Sequence, residues 1–129
     1  MASHGRLASG LQDSLAILLG NAPNLTVFDA FIDERNLPDV LTDYLNSLDD
    51  NDCLILCSDL YGGSINQQMA LFLNRPNTYL VAGVNLAFLL KLAMQTEITK
   101  EELIVTIEKS RQALCLVELD KVAPEEEFF

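Results

Sequence analysis

The chain is short of histidine, cysteine and positive charge. Its single histidine is His4, its cysteines number three, and 8 Lys and Arg face 19 Asp and Glu, for a formal net charge of −11. With one His and no Cys-x-x-Cys pair there is no zinc site of the usual ligand spacing, so no metal is expected. An odd cysteine count and the lack of a signal-peptide pattern argue against a disulfide framework and for a cytoplasmic setting. Phosphate contacts need clustered Lys and Arg, so neither nucleic acid nor an anionic membrane surface is expected as a partner. No run approaches the roughly 20 apolar residues of a membrane span. The apolar stretch from Leu80 to Met94 is interrupted by Gly83, Asn85 and Lys91, and reads as a strand followed by a helix.

What is present is a core-forming composition. Half of the 129 residues are hydrophobic, enough for one folded domain over residues 1–129 without disulfides or metal. Leu7, Leu11, Leu15 and Leu18 recur at helical spacing and predict a first helix ending near Gly20. Leu25 to Phe31 is β-prone. Pro38 suits the first turn of a second helix with an apolar face of Val40 or Leu41, Tyr44, Leu45 and Leu48. Cys53 to Cys57 is continuously apolar, as a strand buried on both faces should be. Its two cysteines share one face and are expected as packed core thiols. A third helix starts near Ser64 with Ile65, Met69, Phe72 and Leu73 inward. Thr78 to Val84 reads as a strand, Asn85 as the cap of a helix through Ala93, and Thr99 with Glu102 as the capping box of a last helix to about Ala113. Leu114 to Leu119 is strand-like again, and Pro124 to Phe129 is expected to fray. Alternating strands and helices over short links predict a doubly wound α/β fold. It would have a mainly parallel sheet of about four strands, helices on both faces and a further C-terminal strand. Ligands in such sheets bind beyond the carboxyl ends of the strands.

Two segments fall at those ends. Ser3-His4-Gly5 lies where the chain enters the first helix, and Ser58-Asp59-Leu60-Tyr61-Gly62-Gly63-Ser64 links the Cys53–Cys57 strand to the third helix. Taken alone, Gly62-Gly63-Ser64 is a tight turn with an N-cap serine, His4 is a surface residue near a terminus, and Asp59 is a loop aspartate. Together they bring an imidazole, a carboxylate and a glycine-rich helix start to one sheet edge. A nucleophilic His needs one bare ring nitrogen, and a carboxylate accepting the other N–H fixes that tautomer. Backbone N–H groups at a helix start favour an anion. The Lys of a nucleotide-binding glycine loop is missing, so no nucleotide cofactor is indicated.

Ser-His-Gly-x-Leu-Ala-x-Gly at the start and Ser-Asp-Leu-Tyr-Gly-Gly-Ser after the third strand resemble the IIA component of the mannose-family sugar phosphotransferase system, over essentially the whole chain. The resemblance implies a phosphotransferase without cofactor. His4 would accept a phosphoryl group from phospho-HPr at Nε2 and pass it to a IIB component, with the membrane IIC and IID components involved only indirectly. It implies that Asp59 orients the other ring nitrogen and that Ser58, Gly62, Gly63 and Ser64 hold the phosphoryl group. It also implies a homodimer that exchanges a C-terminal strand, and Leu114–Leu119 is the segment of suitable composition. Two features depart from the pattern. Family members usually carry an apolar strand of about six residues before Ser-His-Gly, whereas only Met1-Ala2-Ser3 precede His4, so either the sequence begins late or the first strand is short. Val84-Asn85-Leu86-Ala87 stands where Asn-x-Pro is common.

Three other functions fit less of the pattern. A regulatory domain of the same fold would normally be attached to further domains. The phosphotransfer subunit of the dihydroxyacetone kinase system usually reads Ser-His-Ser, where this chain has Gly5. A catalytically dead interaction module would not need His4 and Asp59. The transported sugar is not legible, because in the resembled systems the membrane components select it.

Overall fold

A computed structural model describes residues 1–20 and 24–119. Its elements run β1 (Ala2–His4), α1 (Leu7–Leu19), β2 (Phe28–Ala30), α2 (Leu37–Asn46), β3 (Leu54–Cys57), α3 (Ser64–Ala70), β4 (Thr78–Val81), α4 (Leu86–Ala93) and α5 (Lys100–Arg111). They form two compact units, Met1–Val84 and a second beginning at Asn85. The expected alternation of strand and helix is present, and every strand pairing is parallel.

The sheet of the first unit differs from the single four-stranded one expected. β1 pairs with β2 and β3 with β4, as two ladders. One parallel bridge, Ala2 to Ser58, joins them in the order β2-β1-β3-β4. The physical reason lies at His4, whose N–H would continue the ladder toward β3 and is taken by the Asp59 carboxylate. The core collects Ala2, Phe28, Ala30, Leu37, Leu41, Leu54, Leu56, Ile65 and Met69, with Val40, Tyr44, Leu45, Leu48, Phe72 and Leu80 packed against it. The face expected for α2 is therefore the face it buries. Asn36 caps that helix by accepting from the Asp39 N–H, with Pro38 in the first turn.

Several side chains sit elsewhere than expected. Leu15 is buried in α1, but Leu7 and Leu18 are about half exposed, since helical spacing fixes the direction of a stripe and not its width. Leu73 is exposed, because α3 has already ended at Ala70. Cys57 is buried and Cys53 exposed. β3 begins only at Leu54, so alternation along a strand does not extend back to Cys53.

In the second unit Asn85 caps α4 through the Phe88 N–H at 2.8 Å, and its amide donates to the Ser110 carbonyl at 3.0 Å. One residue thereby ties the start of α4 to the end of α5. Thr99 caps α5 by accepting from the Glu102 N–H. Beyond α5 the segment Leu114–Leu119 forms no strand, contrary to expectation, and Leu114, Leu116, Val117 and Leu119 are exposed. A strand exists only where a neighbour takes its backbone hydrogen bonds, and no ladder to this segment forms among the described residues. The expected frayed end, Pro124–Phe129, lies outside the described residues.

Candidate active site

The order β2-β1-β3-β4 creates a switch point between β1 and β3, where the crossover connections diverge to opposite edges and open a crevice at the carboxyl ends. His4 is the last residue of β1, and Asp59 follows Ser58 just beyond β3. Asp59 Oδ2 accepts the main-chain N–H of His4 at 2.9 Å and lies 2.9 Å from His4 Nδ1. Two contacts from one residue to one oxygen close a small cycle, which fixes both side-chain torsions of the histidine. Nε2 is left on the outer side of the ring. The His4 side chain is 41% exposed and that of Asp59 only 7%, so the imidazole faces solvent and the carboxylate beside it is covered.

The ionisation of Asp59 supports that division. Burial pushes its carboxyl up, but the His4 main-chain N–H, the ring hydrogen bond and the charge of the ring together outweigh it and hold the carboxyl below the ordinary carboxylate range. An ionised carboxylate only accepts hydrogen bonds, so the proton between the two groups belongs to Nδ1. In a neutral ring that tautomer leaves the Nε2 lone pair bare. Asp59 Oδ1 is buried without a hydrogen-bond partner among the described residues.

The glycine turn stands beside the bare nitrogen. Gly62 has φ +76°, in the left-handed region, where a side chain would be strained. Gly63 occupies the N-cap of α3, and a Cβ there would lie 3.7 Å from His4 Cε1. Ser64 Oγ is 3.5 Å from Nε2, long for a hydrogen bond to the ring but close enough to reach a group bonded to that nitrogen. The helix starts at this edge differ. Ala8 and Ser9 in the first turn of α1 already donate to Ser3 Oγ and to Asp29, whereas no side chain caps α3. Open N–H donors thus lie on the α3 side, the side of Ser64. Ser58 is placed otherwise. It is fully buried, and its hydroxyl lies 3.2 Å from Asn66 Oδ1 and 3.4 Å from the Leu60 carbonyl. It fastens the Asp59 loop to α3 from within.

Two further features escaped the sequence reading. The Phe31 ring packs 5.3 Å from the His4 ring, tilted by 31°. Phe31 has φ +67° and is 64% exposed. A left-handed phenylalanine has no sequence signature, although its position at the end of β2 puts an aromatic on the same sheet edge as His4. With the exposed Ile32, Leu60 and Tyr61 it supplies apolar surface on the loops after β2 and β3. The second feature is the pairing of Ser9 with Asp29. No group of three or more His, Cys, Asp or Glu among the described residues could hold a metal.

Comparisons with known proteins bear on the family and the fold. The family described as PTS system fructose IIA component (EIIA-man) matches residues 1–108. A Klebsiella pneumoniae protein named as a candidate phosphoenolpyruvate-dependent sugar phosphotransferase system permease is 27% identical, with a TM-score of 0.77 over 89% of this chain and 86% of its own. The PTS IIA protein associated with the fucose utilization operon of Streptococcus pneumoniae is 26% identical, with a TM-score of 0.72 over 89% of this chain and 88% of its own. The mannose/sorbose specific IIA subunit of Enterococcus faecalis shares the fold, with a TM-score of 0.81 over 95% of each chain at 22% identity. No curated protein sequence matches the chain.

Proposed function

The chain belongs to the fructose/mannose-type IIA family of the sugar phosphotransferase system, and from that premise we propose that it is a phosphocarrier in which His4 accepts a phosphoryl group from phospho-HPr and passes it to a IIB component during sugar uptake. The observation that carries the proposal is the Asp59 oxygen that holds both the main chain and the Nδ1 side of His4, each at 2.9 Å. It leaves Nε2 exposed, bare and fixed in direction. In the transfer, a bond forms from Nε2 to phosphorus as the phosphorus–nitrogen bond of the donor breaks, and its electron pair returns to the donor ring. The Nδ1–H stays on His4, and the charge that develops on the ring faces the Asp59 carboxylate. Ser64 Oγ and the uncapped start of α3 face the incoming oxygens, with Gly62 and Gly63 allowing close approach. Such chemistry asks a protein for positioning and charge stabilisation more than for covalent steps.

The apolar side chains Phe31, Ile32, Leu60 and Tyr61 support a protein donor over a small one, because exposed apolar surface near a reactive group is what a partner covers. The chain acts in the cytoplasm as one functional domain and meets the IIC and IID membrane components only through IIB. It works as a homodimer in which the exposed Leu114–Leu119 segment of each copy finds its ladder partner on the other. Incubation with phosphoenolpyruvate, enzyme I and HPr, followed by intact-mass measurement, tests the carrier role. The expected product carries one acid-labile phosphoryl group on His4. Labelling that survives His4→Ala, or an acid-stable phosphate on Ser or Tyr, refutes it.

A further inference from the structure

Beside the His4–Asp59 pair lies a second carboxylate that the phosphocarrier reading leaves unused. Asp29 is the middle residue of β2 and stands opposite Ser3 in the β1–β2 register. Its Oδ1 accepts the Ser9 N–H at 3.0 Å, and its Oδ2 accepts the Ser9 hydroxyl at 2.6 Å. Both are charge-assisted bonds, and the second has the ordinary length of an O–H donor to a carboxylate. Ser9 lies in the first turn of α1, a helix whose own N-cap residue, Arg6, provides no side-chain cap. Helix caps normally come from the N-cap residue itself. Here the cap comes from a neighbouring strand 20 residues away in sequence. The bond that satisfies the helix start therefore also fastens it to the edge of the sheet.

The fastened segment carries His4. Between β1 and α1 the chain has only Gly5 and Arg6. The Gly5 N–H donates to the Ala30 carbonyl at 2.9 Å, and the Ser9 hydroxyl also lies 3.1 Å from the Arg6 carbonyl. The turn after His4 is thus braced from the β2 side by Asp29 and Ala30, as His4 itself is braced from the β3 side by Asp59. We propose that Asp29, acting through Ser9, is a positioning residue for His4: it sets the seat of the His4–Arg6 turn against β2, so that the imidazole meets Asp59 in one orientation. Asp29 touches neither the ring nor the phosphoryl position. Its loss therefore lowers the rate of transfer and leaves donor binding unchanged. A displacement of about 1 Å in a reacting group costs about 100-fold, which sets the upper end of the effect.

This inference rests on the phosphocarrier reading for its kinetic arm and is tested by a second arm that does not. In single-turnover transfer from phospho-HPr, Asp29→Ala is expected to lower kcat about 10- to 100-fold with KM within about twofold. Asp29→Asn, which keeps an acceptor for the Ser9 N–H, should restore most of the rate. In the unphosphorylated protein, nitrogen NMR of the single histidine should report one tautomer, with the proton on Nδ1. In Asp29→Ala the two ring nitrogens should move toward averaged values. Should Asp29→Ala fail to fold, Ser9→Ala removes only the hydroxyl bond and is expected to show the same changes more weakly. Wild-type kinetics and wild-type ring signals in a folded Asp29→Ala or Ser9→Ala overturn the inference. So does a loss of rate that merely follows the unfolded fraction. If the wild-type protein takes no phosphoryl group, the phosphocarrier reading falls, while the ring signals still decide the role of Asp29.

Discussion

Replacing Asp59 by Asn changes one oxygen into an amide nitrogen and removes one charge. The side chain can keep its carbonyl oxygen where Oδ2 now accepts the His4 N–H and faces Nδ1, both at 2.9 Å. In that pose the loss is the difference between a charge-assisted and a neutral hydrogen bond, about 1–1.5 kcal/mol, or about tenfold in rate. In the other pose the amide N–H points at Nδ1 and donates to it. The ring proton then moves to Nε2 and blocks the nucleophile. The corresponding substitution in a hydrolase triad costs about 10⁴-fold, which bounds the effect from above. The assay is rapid-quench single turnover with phospho-HPr at neutral pH, with circular dichroism and urea unfolding as the control. A folded Asp59→Asn that accepts phosphate at the wild-type rate refutes the orienting role. The acid limb of stability carries a second check. The folded pKa of Asp59 lies below its ordinary value, so the pair contributes stability above the unfolded pKa. That stability is lost as pH falls through the lowered folded one. The stability gap between wild type and Asp59→Asn should therefore hold through neutral pH and close only below about pH 4. A gap that widens in acid would contradict an ionised Asp59.

Burial pushes the Cys57 thiol up to about 11 and covers it, whereas Cys53 is exposed; a thiol–disulfide reagent at mildly alkaline pH should modify Cys53 quickly and Cys57 only after denaturation. The exposed Leu114, Leu116, Val117 and Leu119 are expected to be covered by strand exchange, so the full chain should sediment as a dimer at micromolar concentration. Deletion of everything after Ala113 should give a monomer with a lower melting temperature; a monomeric full-length protein would overturn the exchange.

Much of the fold is legible because its signals are local. Gly20 ends α1 at φ +74°, Asn85 and Thr99 cap the helices they precede, and the apolar spacing of α2 points at the core it enters. The meeting of His4 and Asp59 is legible for a different reason: His4 ends β1, Asp59 lies just beyond β3, and neighbouring parallel strands end side by side. What was not legible depends on register and backbone strain. Ser58 precedes a turn, and the sequence does not say whether its hydroxyl faces outward or toward Asn66. Asp29 reaches Ser9 only because β2 pairs with β1 in one particular register. The left-handed Phe31 beside the imidazole goes against the preference of bulky residues, so no propensity could announce it. The irregular Leu114–Leu119 reads as a strand because composition reports what a segment would do with a partner.

The edge between β1 and β3 bears directly on the proposed chemistry. Its contact with β3 is a single bridge at Ala2 and Ser58. The next N–H that could continue a ladder toward β3 is that of His4, and it is taken by the Asp59 carboxylate rather than by a main-chain carbonyl. Asp59 thus completes the sheet edge with the same oxygen that orients the ring. A fold that needs this acceptor and the proposed reaction, which needs this charge, converge on one atom, and the two needs separate by substitution. Asn can meet the first and not the second; Ala meets neither. The part of any defect shared by the two variants belongs to the charge, and the part found only with Ala belongs to the edge of the sheet. On this reasoning the proposed nucleophile is held because its side chain and main chain are anchored together at the point where the ladder stops.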